Sequence, residues 1–177
     1  MVDLFVSVLL GRPAATLALH SDLDDILSEM SEPESDHGTA CVIASYKILH
    51  MTSSIVYGLH GREEVSSTIV EQYLRRVEEW RLALPGSLAN PSQAEGDGTA
   101  EKKDIMGTFH VSCLYYFAVT LVTRPILVSM LTSPPGEENP VRFQLASACL
   151  DAAVYLVEVC VDFHKAGLLL GNMCIVK

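Results

Sequence analysis

Six apolar residues, Val65, Ile69, Tyr73, Val77, Trp80 and Leu84, recur at steps of three or four along one stretch of the chain. At about 3.6 residues per turn these steps stack the side chains on a single helical face, whereas a strand would need alternation. The stretch reads as a helix over Glu63 to Leu84, ended by Pro85-Gly86. Its opposite face sets Glu71 before Arg75 and Arg75 before Glu79, at the four-residue spacing that modestly supports a helix.

Similar periods recur on both sides. Val2 to Leu10 reads as the end of a helix stopped by Gly11-Arg12-Pro13, because glycine suits the position after a helix and proline cannot continue one. His20 to Asp36 is acidic and serine-rich with interspersed leucines, and reads as an extended connection; a disordered activation segment is the other reading of that composition. A helix from about Gly38 to Leu59, capped by Ser35 or Asp36, carries Ile43, Ile48, Met51, Ile55 and Leu59. Pro85 to Lys103 is poor in apolar residues and predicts a flexible surface loop. A helix from about Asp104 to Leu131 is expected to be interrupted at Pro125, whose ring would clash with the Leu121 carbonyl. Asn139-Pro140 opens a last helix, with asparagine as cap and proline in the first turn. Its core stripe is Val141, Leu145, Cys149, Ala152, Leu156, Cys160 and Phe163, with Asp151, Glu158, Asp162 and Lys165 facing away. The tail from Leu168 to Val176 is apolar. The expected fold is therefore all-α, an antiparallel bundle of about five main helices with one long loop at 85–103, forming one domain of 177 residues.

Charge and cysteine spacing narrow the function. The formal net charge is −10, and the basic doublets are Arg75-Arg76 and Lys102-Lys103. A nucleic-acid binder needs a basic stripe to neutralise phosphates, so direct DNA binding is not expected. The five cysteines, Cys41, Cys113, Cys149, Cys160 and Cys174, are odd in number and widely spaced. That pattern suits reduced thiols acting as small apolar residues better than a disulfide framework or a zinc site. No metal, cofactor or signal peptide is expected from the sequence. Phe109 to Val122 is strongly apolar but shorter than the roughly twenty residues a membrane span needs, so a buried core helix is expected there.

Several residues invite a chemical reading. His110 and Cys113 stand one helical turn apart, as a base and a nucleophile would, but nothing in the spacing aims the sulfur at the ring. They read as a packed thiol beside a boundary histidine. Asp22, Asp24 and Asp25 lack the spaced ligands and turn glycine of a calcium loop and read as a solvated acidic run. Arg124 before Pro125 is expected to satisfy carbonyls freed at a kink or to pair with a carboxylate, with ligand contact as the alternative. Tyr115 and Tyr116 are expected either to pack with their hydroxyls satisfied or to line a pocket. No catalytic residue is assigned.

Five landmarks in order resemble the regulatory "middle homology" domain of fungal zinc-cluster transcription factors. They are Leu9-Leu10-Gly11-Arg12-Pro13, the acidic Asp22-Leu23-Asp24-Asp25-Ile26, Val77-Glu78-Glu79-Trp80-Arg81-Leu82-Ala83-Leu84-Pro85, the run Phe109-His110 through Tyr115-Tyr116 to Arg124-Pro125, and Cys149-Leu150-Asp151-Ala152-Ala153. The resemblance implies a nuclear, non-enzymatic regulatory module that does not itself touch DNA. It also implies that any zinc cluster lies outside this sequence, and that the natural domain begins upstream of Met1. The partners it implies are further helices of a longer regulator, a homodimer partner or an apolar effector, with neither nucleic acid nor membrane. A helical-bundle small-molecule-binding protein or enzyme of fungal secondary metabolism is the alternative.

Overall fold

In a computed structural model the described residues are 37–59, 65–89, 100–132, 139–165 and 167. Among them the chain is all-α, with no strand. The helices are α1 (His37–Leu59), α2 (Ser67–Leu82), the single turn α3 (Gly86–Ala89), α4 (Ala100–Thr132) and α5 (Pro140–Lys165). The expected first helix over 2–10, the Gly-Arg-Pro stop, the acidic stretch over 20–36 with its Asp22, Asp24 and Asp25, and the tail over 168–176 lie outside the described residues.

Helix α4 is central and packs against each of the other helices. Its apolar positions explain this, because Val111, Leu114, Ala118, Val122 and Ile126 advance by three or four and are all buried. All but Val111 meet Ile48, Leu49, Ile55 and Leu59 of α1, Val70 and Val77 of α2 and Leu145 of α5 in one core. A smaller cluster joins Cys41 and Ala44 of α1, Leu88 of α3 and Val111 of α4, with Trp80 packed on both clusters. Helices α4 and α5 run antiparallel, since Arg142 near the start of α5 bonds Ser129 near the end of α4 while Phe163 stacks on Phe109 at the opposite end.

The expected stripe of α2 holds: Val77 is buried, and Val65, Ile69, Tyr73, Trp80 and Leu84 are half-buried against the core, while Val70, off the predicted stripe, is also fully buried. The helix starts at Ser67 rather than at Glu63, and the Ser66 carbonyl receives the Ile69 and Val70 amides at 3.1 and 3.3 Å. Asn139 caps α5 as expected, its Oδ1 accepting the Val141 amide at 3.0 Å.

Three expectations are corrected. The segment after Pro85 is not wholly a loop, because residues 86–89 form a helical turn that buries Leu88 against Cys41 and Val111. One apolar residue among polar ones was enough to tie that turn down. Helix α4 also begins at Ala100, within the stretch expected to be loop. Nor is α4 interrupted at Pro125, since it runs unbroken from Ala100 to Thr132. Buried Val122 and Ile126 on either side of the proline hold both halves to the same core, which outweighs the lost backbone bond. In consequence the apolar run of α4 is longer than expected: Ile105–Thr132, like the separate Pro140–Lys165, is long and apolar enough, by length and composition alone, to cross a membrane.

Helix α1 approaches α4 closely at one point. A Cβ on Gly107 would overlap the Cys41 sulfur, so any side chain there must displace the Cys41 thiol. Beside it Thr108 Oγ1 lies 3.4 Å from His37 Nε2.

Candidate interaction surface

The faces of α5 differ. Leu145, Ala146, Cys149 and Ala152 are buried against α4. The outward face is also apolar: Phe143, Leu150, Val154, Val157 and Val161 are exposed, Phe143 by 67% and Val157 by 61%. Ser147 fills the remaining place, so the outer stripe steps alternately by four and three from 143 to 161. That is the spacing of a helix that packs along a second helix. The expected core stripe is right at Leu145, Cys149 and Ala152, while Leu156, Cys160 and Phe163 are half-buried. The outer stripe went unread because an all-round apolar helix gives two stripes and the sequence alone does not say which is covered. Its signal was the three-four alternation of Leu150, Val154, Val157 and Val161.

Carboxylates edge this stripe. Asp151, Glu158 and Asp162 are exposed and each follows an outer apolar residue by one position, so all three lie along the same side. Asp162 is paired with Lys165 at 3.8 Å, and Asp151 accepts a bond from Ser147 at 3.4 Å.

Across the bundle a polar group links α2 to α4. Arg81 Nη2 donates to Glu78 Oε1 at 2.6 Å, and the Tyr115 hydroxyl donates to Glu78 Oε2 at 2.9 Å. Arg81 also sits 5.5 Å from the Tyr115 ring centroid. The Arg81 guanidinium, helped by the Tyr115 hydroxyl, holds the Glu78 carboxyl below its ordinary pKa although burial pushes the other way. Burial, then the bond to Glu78, pushes the Tyr115 hydroxyl up to about 12. Tyr115 therefore packs with its hydroxyl satisfied, one of the two expected outcomes. Tyr116 leans on Tyr115 edge-to-face and stacks on Tyr155 of α5, with centroids 5.2 and 5.6 Å apart. The Glu78–Tyr115 bond joins residues far apart in sequence, and no local spacing could have shown it.

Cys113 meets Cys160 of α5 rather than His110. The Cys113 thiol is pushed up to about 12, mainly by burial and then by Cys160 of α5, with which it shares a hydrogen bond. Such a thiol stays protonated at neutral pH, the opposite of an activated nucleophile. His110 keeps an exposed surface, yet the protein packed around its ring lowers its pKa. Cys113 and Cys160 are thus brought together across two helices, although both are free thiols and their sequence spacing gave no hint of pairing. Cys149 is buried, and its thiol donates to the Thr120 carbonyl at 3.6 Å. Among the described residues no group of three or more histidine, cysteine or acidic side chains could hold a metal ion. Arg124 is exposed on the continuous helix and does not supply the carbonyl or carboxylate contact expected of it.

The geometry on these helices is that of a packed module with a covered side and an apolar outer side. Compared with protein-family models, with curated proteins and with solved structures, the chain matches none.

Proposed function

We propose that the chain is a non-DNA-binding regulatory module of a fungal transcription factor, built as an antiparallel bundle of about five helices and acting in the nucleus through a partner helix. The observation that carries the reading is the exposed apolar stripe of α5, an area that costs free energy in water unless another surface meets it. The ordered motifs that resemble the middle homology domain supply the class of protein, and the acidic charge, which repels phosphates, supplies the lack of DNA contact. The raised pKa of Cys113 and the engagement of Tyr115 with Glu78 favour packing over reaction chemistry. The first helix and the apolar tail read from the sequence lie outside the described residues; α5 offers an exposed apolar face within them.

The test is transcriptional. Fused to an unrelated DNA-binding domain, the chain is expected to raise or lower output from a reporter bearing that domain's site. An unchanged reporter from a fusion present at normal levels, or tight salt-sensitive DNA binding by the chain alone, overturns the proposal.

A further inference from the structure

We infer that the outer face of α5 receives a basic amphipathic helix, whose lysines or arginines run along one edge and meet Asp151 and Glu158. The inference rests on the reading of the chain as an interaction module and names the chemistry of its partner. Two features specify the occupant. The first is the apolar stripe, whose alternating steps of three and four make a seam for one further helix. The second is the charge beside it. Asp151 and Glu158 are seven residues apart, hence about 10 Å along the axis, and lie on the same edge. Asp162, the third acid of that edge, is already matched by Lys165. The two remaining carboxylates ask for positive charge at a seven-residue spacing in the partner. The other edge carries Ala146, Ala153 and Cys160, with Arg142 at its start turned onto Ser129 of α4.

The same charges argue against the other occupants of an apolar helix face. A second copy laid antiparallel would run Asp151 beside Glu158 of its mate, a like-charge contact. A parallel copy would set Ala146 and Ala153 against Asp151 and Glu158 of its mate and leave those carboxylates without a counter-charge. A membrane surface is disfavoured because each carboxylate would be drawn toward anionic headgroups together with its apolar neighbour.

The experiment uses the full chain and a labelled synthetic helix of about three heptads with leucine at the seam and lysine on one edge. One control peptide carries glutamate at those edge positions. Another has the same lysines moved to the face opposite the seam, which keeps net charge constant. By fluorescence anisotropy at physiological salt, the edge-lysine peptide is expected to bind about tenfold more tightly than either control. The double variant D151K/E158K is expected to reverse the preference between lysine and glutamate peptides. V157D is expected to abolish binding of both, with helical content unchanged by circular dichroism. Should V157D lose helicity, D151N/E158Q serves instead and is expected to erase the discrimination. Equal binding of all three peptides, or a preference that D151K/E158K leaves unaltered, overturns the inference. So does a dimer of the chain, detected by sedimentation, that V157D dissociates, or binding to vesicles of anionic lipid that V157D removes. A silent reporter with edge-selective peptide binding defeats the regulatory function alone, whereas an active reporter without that selectivity defeats this partner alone.

Discussion

Helices α1 and α5 are both long and rich in apolar residues, yet the fold uses them differently. In α1 most apolar residues are buried, although Val42 and Tyr57 stay exposed: Ile48, Leu49 and Ile55 face one cluster, Cys41 and Ala44 another, and Ser45 and Thr52 are buried as well. Polar residues survive there because the helix can satisfy them itself, as when the Thr52 hydroxyl donates to the Ile48 carbonyl at 2.6 Å. In α5 the buried residues are confined to the side that meets α4, and the opposite side leaves valines in water. Apolar content sets how much surface a helix can bury, while its neighbours decide how much it does.

The sharpest way to break this comparison is to truncate one side chain in each helix. Ile48→Ala in α1 is expected to cost about 2 to 5 kcal/mol of unfolding free energy in urea titration, since a fully buried isoleucine leaves a cavity. A loss below about 1 kcal/mol would mean that α1 is not core. The next effect in size tests how tightly α1 is held. Gly107→Ala is expected to destabilise by about 1 to 3 kcal/mol through overlap with Cys41, although alanine favours a helix, and Cys41→Ala is expected to rescue most of that loss in a double-mutant cycle.

A smaller effect belongs to the link between α2 and α4. Tyr115→Phe is expected to cost about 1 kcal/mol by removing a half-exposed bond to a carboxylate. The pH dependence carries the same test. Tyr115 and Cys113 both have folded pKa values raised to about 12 from ordinary values of 10.0 and 9.0. Each favours the folded state while protonated, so stability is fully present below about pH 9 and declines as pH rises toward 12. Tyr115→Phe is expected to flatten the upper part of that decline in denaturant titrations at stepped pH. The smallest effect is at Val157. Val157→Ala is expected to change stability by no more than about 0.5 kcal/mol, and a larger loss would show that the outer face of α5 is covered within the chain itself.

Much of this architecture could be read from residue spacing. The steps in Val141, Leu145, Cys149 and Ala152 placed the covered side of α5, and Asn139-Pro140 placed its start, because caps and stripes are local signals. The course of α4 through Pro125 was not legible. A proline's local penalty is visible in sequence, but the burial of Val122 and Ile126 that offsets it depends on helices elsewhere in the chain. Leu88 was missed for a related reason, since one apolar residue makes no pattern until Cys41 and Val111 surround it. The candidate surface was half legible: the acids of α5 were placed outward, but the apolar residues beside them were not.

The antiparallel pairing of α4 and α5 also has a kinetic consequence. Its cross-links are graded by chain separation: Ser129 to Arg142 spans 13 residues, Thr120 to Cys149 spans 29, and Phe109 to Phe163 closes the far end. Closing the longest of these loops from the unfolded chain costs about 1.3 kcal/mol more entropy than closing the shortest. Once the Arg142 end has formed, each further pair closes only a short additional loop. The hairpin is thus expected to zip from its connection outward, so that mutations at Ser129 and Arg142 act mainly on the folding rate and those at Phe109 and Phe163 mainly on unfolding. Helix α1, whose contact with α4 through His37 and Thr108 spans 71 residues, then docks onto a surface already built.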